Sequence, residues 1–312
     1  MSEYELYPEK PHLEKQVVKS NWALTVFTIV LFIAVFLSIY SDRADFVFFL
    51  VAVLLVHEFG HFAMMKVFKY ENVRMLFIPL MGAFVQGSKE VYSQKESMFV
   101  VLFGPFPGLI IGCVGLFMSH LYHWDWLLLL SFIFIFVNGI NLLPIDPLDG
   151  GQLLKLLVIR QRDLYLMIFA LISSLVLIVV GVLMSDWLIV GFGFLMGIRV
   201  RAMQKNYQLR KELNELEVNY VCTYDDLSNR DYHCIKQVVI KEKPMLAQFE
   251  EDMSEEGHQM FASYVNDLLI PPILKDVGVF GKVILFICWV GLFILPIYLL
   301  ISLDFNWYFE KL

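Results

Sequence analysis

The chain has 312 residues, of which 58% are hydrophobic and only 18% charged, and its mean hydropathy is +0.65. A soluble domain is nearer half apolar and a quarter charged, so one globular core cannot bury this much apolar surface; disorder, collagen-like repeats and a disulfide-stapled mini-protein are excluded as well. The 24 Lys and Arg against 31 Asp and Glu give a net charge of −7, which argues against a nucleic-acid partner and leaves the lipid bilayer as the main solvent.

In chain order, six apolar runs are long enough to cross about 30 Å of hydrocarbon as helices: 22–40, 46–65, 98–118, 126–143, 164–184 and 283–303. A seventh, 187–198, is short. The basic residues resolve it. If 187–198 crosses and the N-terminus is cytosolic, 22 Lys and Arg fall on the inside and only Arg43 and Lys311 outside. The expectation is seven spans with the C-terminus outside, in a bacterial cell (inner) membrane, and no cleavable signal peptide.

Between the second and third spans, 74–87 (RMLFIPLMGAFVQG) is apolar but short and carries Pro79 and two glycines. That pattern predicts a strand–turn–strand on the cytosolic side. Further on, residues 202–279 hold a net charge of −6, with helical periodicity at 208–218 and an acidic stretch at 249–256. The predicted fold is an all-α polytopic membrane protein of about seven helices, with a small membrane-associated β-hairpin and a mainly helical soluble insertion. Its parts are a cytosolic tail (1–20), a membrane core (21–200), an acidic cytosolic module (201–281), a C-terminal spanning helix (282–304) and a short tail (305–312). The module is the expected place for a regulatory partner.

Chemistry concentrates in His57-Glu58-Phe59-Gly60-His61, an HExxH inside an otherwise apolar run. On a helix the two histidines lie one turn apart on one face and can share a metal ion, with Glu58 beside them as a base. An acidic residue at the middle of a spanning helix costs about 2.5–3.5 kcal/mol on insertion scales, so this polarity has a use. Catalytic zinc takes three protein ligands and a water. A third, acidic ligand is available in Asn141-Leu-Leu-Pro144-Ile-Asp146-Pro147-Leu148-Asp149-Gly150-Gly151, where two prolines end the fourth span. Spacing alone does not choose between Asp146 and Asp149. The cysteines Cys113, Cys222, Cys234 and Cys288 have no metal-ligand spacing. Gly104, Gly108 and Gly112 form a small-xxx-small ladder that reads as close helix packing with no direct role in catalysis.

HEFGH in one span with NLLPIDPLDGG closing a later one resembles the site-2 protease family of intramembrane zinc metalloproteases, over roughly residues 46–155. The resemblance implies one catalytic Zn²⁺ held by His57, His61 and Asp149, with Glu58 as general base. It places Asn141 where the amide holds substrate or the developing oxyanion. It also likens 77–87, with Gly82, Ala83 and Phe84, to a membrane-associated hairpin whose edge pairs with an unwound substrate. The implied substrates are transmembrane proteins or peptides, cleaved within or near the bilayer. No PDZ or CBS module accompanies the two motifs. Two other readings share these residues: a non-enzymatic metal-binding transporter or pseudoprotease scaffold, and an unrelated membrane HExxH protease with a downstream Glu ligand.

Overall fold

The computed structural model describes residues 7–14, 22–79, 82–157, 162–249 and 255–305. Most of the expected N-terminal tail, the centre of the acidic stretch at 250–254 and the tail from 306 lie outside the described residues. The fold is mostly helical with a small sheet. Helix α1 (Trp22–Ile39) turns through a polar loop into α2 (Ala44–Val67), which carries the HExxH. Strands β1 (Glu71–Ile78) and β2 (Gly82–Ser88) follow as an antiparallel hairpin with Met75 opposite Val85 and Phe77 opposite Ala83. Val73, Met75 and Phe77 alternate inward, the period-2 pattern of a half-buried strand. Met75 and Phe77 pack on Phe32 of α1 and Val51 of α2. Thr25 donates to the Met75 carbonyl at 2.8 Å, and the Phe77 amide donates to the Thr28 hydroxyl at 3.3 Å. Helix α1 thus occupies the outer edge of β1. Strand β2 is left with one edge unpaired among the described residues.

A two-residue strand β3 (Tyr92–Ser93) leads into α3 (Gln94–Leu102), whose first turn is capped by the Ser93 hydroxyl on the Glu96 amide at 3.0 Å. The chain breaks at Gly104 and resumes as α4 (Pro105–Tyr122), since Pro at the first helical position has no amide to lose. Helix α5 (Asp125–Asn141) runs back beside α4. Helix α6 (Asp149–Leu157) is short, and α7 (Arg162–Leu183) pairs along its length with α8 (Trp187–Glu215). Gly181 and Gly193 permit that closeness: a Cβ at either would come within 2.7 Å of the opposite helix. The short apolar run 187–198 is the first part of this 29-residue helix, which continues unbroken into polar sequence.

The last turns of α8, with α9 (Asn229–Glu242) and α10 (Glu255–Leu268), surround a core of Leu213, Ile235, Phe261, Ala262 and Val265. Residues from the start of the chain dock here as well. The Lys10 ammonium donates to the carbonyls of Tyr224, Asp225 and Leu227 at 2.6–2.9 Å. Strand β4 (Ile273–Leu274) then pairs in parallel with β3, and α11 (Val279–Ser302) follows. Asp276, between them, accepts from Ser93 Oγ at 2.5 Å and from the Lys95 amide at 3.0 Å, so the start of α3 anchors the chain entering α11.

Among the described residues, five helical stretches are long and apolar enough to cross a membrane: Trp22–Ile39, Ala44–Val67, Gln94–Tyr122, Asp163–Leu183 and Val279–Ser302. Asp125–Asn141 is apolar and, at 17 residues, shorter. Their outward faces are apolar, as at Phe48, Ile172, Val179 and Ile287, the surface expected against lipid. The chain is a membrane protein.

Candidate metal centre

Helix α2 presents His57 and His61 one turn apart, both buried, with ring centroids 4.9 Å apart. Helix α6 begins at Asp149, whose Oδ2 lies 3.1 Å from His57 Nε2 and 3.3 Å from His61 Nε2; the two Nε2 atoms are 3.2 Å apart. These are the three side chains among the described residues whose ligand atoms converge in the manner of a metal site.

The hydrogen bonds on the far side of each ring state what the near side offers. His57 Nδ1 is 2.8 Å from Asn138 Oδ1, and His61 Nδ1 is 2.8 Å from the Val100 carbonyl. Both partners are acceptors, so each Nδ1 carries a proton, and in the neutral ring each Nε2 presents a lone pair. With both rings neutral, two lone pairs and a carboxylate oxygen face one another in a buried space. Such a set can hold a cation. Tetrahedral zinc, with Zn–N and Zn–O bonds of about 2.0–2.2 Å, sets its donors about 3.3–3.6 Å apart, and the three separations here, 3.1–3.3 Å, lie near the short end of that range. Two neutral imidazoles and one carboxylate also leave Zn²⁺ at +1, which one hydroxide neutralises in low dielectric.

The turn that delivers Asp149 is tight. A Cβ at Gly150 would lie 2.0 Å from the Leu142 carbonyl oxygen, and one at Gly151 2.4 Å from that of Ile145. Only glycine lets α6 start so close to the end of α5. The same Leu142 carbonyl accepts from Trp289 Nε1 of α11 at 2.9 Å, so the C-terminal helix braces this turn from outside.

Of the two aspartates that spacing leaves open, Asp149 meets the histidines. Asp146 turns away: it is fully buried, its amide donates to Ser173 Oγ, and its carboxylate pairs with Lys155 and, at 3.9 Å, with Arg199. Glu58 is buried and its Oε2 has no hydrogen-bond partner among the described residues. Asn141 lies at the end of α5 with its amide donating to the Val137 carbonyl at 2.9 Å, and makes no hydrogen bond to His57, His61 or Asp149. Gly82, Ala83 and Phe84 begin β2, the strand with the unpaired edge.

Three features go beyond the reading of the sequence. Asn138, which touches His57, was not anticipated; its signal is an amide within an apolar span, one turn before Asn141. The Val100 carbonyl has no sequence signal at all. The glycine ladder is more than helix packing. A Cβ at Gly104 would sit 2.2 Å from His61 Cε1 and Nε2, and one at Gly108 2.2 Å from Asn138 Nδ2, while the nearest atoms to one at Gly112 belong to Ile135, Phe134 and the Ser131 carbonyl.

In this membrane protein, then, a buried HExxH meets an aspartate from a later Asp-Gly-Gly turn. No family model matches the chain. It is 30% identical over 119 residues to stage IV sporulation protein FB of Bacillus subtilis, covering 36% of this chain and 40% of that protein. It is 25% identical over 142 residues to a zinc metalloprotease of Methanocaldococcus jannaschii, covering 44% and 37%. The chain thus spans about two fifths of the length of these curated relatives. Among solved structures it is similar to the site-2 protease from Methanocaldococcus jannaschii, at 21% identity and a TM-score of 0.44, over 57% of this chain and 88% of that one. The two curated relatives support the resemblance to the site-2 protease family.

Proposed function

We propose that the protein is an intramembrane zinc metalloprotease that hydrolyses peptide bonds within or near transmembrane segments of membrane-protein substrates. The observation that carries this is the convergence of His57 Nε2, His61 Nε2 and Asp149 Oδ2 beside a buried, unpartnered Glu58. His57, His61 and Asp149 would hold one zinc ion. Bound there, zinc supplies Lewis acidity, polarising a carbonyl and lowering the pKa of a water to about 7. Glu58 takes the proton of the attacking water and returns it to the leaving amide nitrogen. Its carboxylate is free for both transfers because no other group competes for its Oε2. Asn141 uses one amide proton on Val137; the other is available to a substrate carbonyl or oxyanion.

A transmembrane helix hides its own peptide bonds, so the substrate has to unwind locally. The unpaired edge of β2, starting at Gly82, Ala83 and Phe84, offers an unwound segment backbone partners. The proposed topology has seven spans, including 126–143 and 187–198, with the N-terminus and the module at 201–281 cytosolic and the C-terminus outside; this puts the metal centre toward the cytosolic face. The module is the proposed place for regulation.

Glu58→Gln tests the assignment. The variant should keep one zinc per chain, because Glu58 is not a ligand, yet yield none of the new protein termini found in membranes carrying the active enzyme. Identical sets of termini from the two membranes would overturn it.

A further inference from the structure

We propose that Asn138 is a positioning residue of the metal centre, acting through His57. This rests on the reading of the site given above. The amide of Asn138 is completely buried, and its two ends are assigned by its neighbours. Nδ2 lies 2.7 Å from the Phe134 carbonyl oxygen, an atom that only accepts, so this end is the donor. Oδ1 therefore faces His57 Nδ1 at 2.8 Å and can only accept. The amide is a one-way clamp: it keeps the proton of the neutral His57 ring on Nδ1, which leaves the lone pair on Nε2, where Asp149 and His61 converge.

Gly108 of α4 is the other half of the device. A Cβ there would stand 2.2, 2.6 and 2.7 Å from Nδ2, Cγ and Oδ1 of Asn138, so any side chain would drive the amide off its two partners. Helix α4 supplies no ligand, yet it contributes the space in which a ligand is aimed. Partners of this kind, bonded to the far nitrogen of a metal-binding histidine, are worth about 10–100-fold in metal affinity.

The experiment uses the purified full-length protein and reads zinc affinity by chelator competition, together with the visible spectrum of the cobalt-substituted form. Asn138→Leu removes the acceptor at similar volume and should lose zinc affinity about 10–100-fold and alter the cobalt bands. Asn138→Asp keeps an acceptor for His57 Nδ1 and, when protonated on its other oxygen, a donor for the Phe134 carbonyl, and should recover most of the affinity. Gly108→Ala should resemble Asn138→Leu with Asn138 itself intact. Gly112→Ala crowds α5 on the same ladder away from the amide, and should leave the cobalt spectrum unchanged. Should Asn138→Leu fail to fold, the two glycine variants carry the test. Parental zinc affinity and spectrum in Asn138→Leu or Gly108→Ala, or the same loss in Gly112→Ala, would overturn the proposal. A parent protein that binds no zinc would instead remove the reading of the site itself.

Discussion

Asp146 and Asp149, three residues apart, have opposite environments. Asp149 faces two imidazole lone pairs, whereas Asp146 neutralises Lys155 in a buried pocket. Breaking a buried ion pair by removing one partner costs about 3–5 kcal/mol, because the other charge stays behind. Asp146→Ala is therefore expected to lower the melting temperature while the protein, where folded, keeps one zinc per chain. Asp149→Ala is expected to lose stoichiometric zinc with a smaller change in melting temperature. Metal analysis beside thermal unfolding of the two variants checks both, and retained zinc in Asp149→Ala would remove Asp149 from the ligand set.

Among the elements, the junction of β3, β4 and α3 ties the end of the polar segment to the membrane core. Burial acts to raise the Asp276 carboxyl, but hydrogen bonds from Ser93 and the Lys95 amide outweigh it and hold the group below its ordinary value of 3.8. A carboxyl depressed on folding contributes stability that is complete above its unfolded pKa and is lost as pH falls through the folded one. The junction should therefore stay intact at neutral pH and loosen below about pH 4. Amide exchange at 273–276 measures this, and in Asp276→Asn the exchange should be fast at neutral pH and lose its acid dependence. The hairpin at this scale was legible from 74–87, because Pro79 and the glycines exclude a helix of that length. Its pairing with α1 was not legible, since Thr25 and Thr28 lie some 50 residues away and look like ordinary residues of a spanning helix.

At the scale of the whole molecule, the 22-to-2 distribution of basic residues predicts the orientation. Alkaline phosphatase, which is active only outside the cytosol, fused after Leu312 should be active, and fused after Glu217 should be inactive. The reverse result would invert the proposed topology. The acidic segment also has a structural tie that composition does not reveal. Lys10 satisfies three carbonyls of the 224–227 turn, so residues 7–14 form part of the same folded body as the core around Ile235 and Val265.

By itself, the sequence determined that the protein lives in lipid, that a hairpin interrupts its helices, and that His57, Glu58 and His61 share one helix. Those conclusions depend on hydropathy, helical spacing and turn chemistry, which are local properties of the chain. Spacing left Asp146 and Asp149 open and the resemblance implied Asp149; tertiary structure brings Asp149 to the two histidines, adds Asn138 and the Val100 carbonyl, and sets Gly104 and Gly108 against His61 and Asn138. Each of those outcomes depends on which atoms from distant helices come within about 3 Å of one another. No spacing within a single segment encodes such an approach.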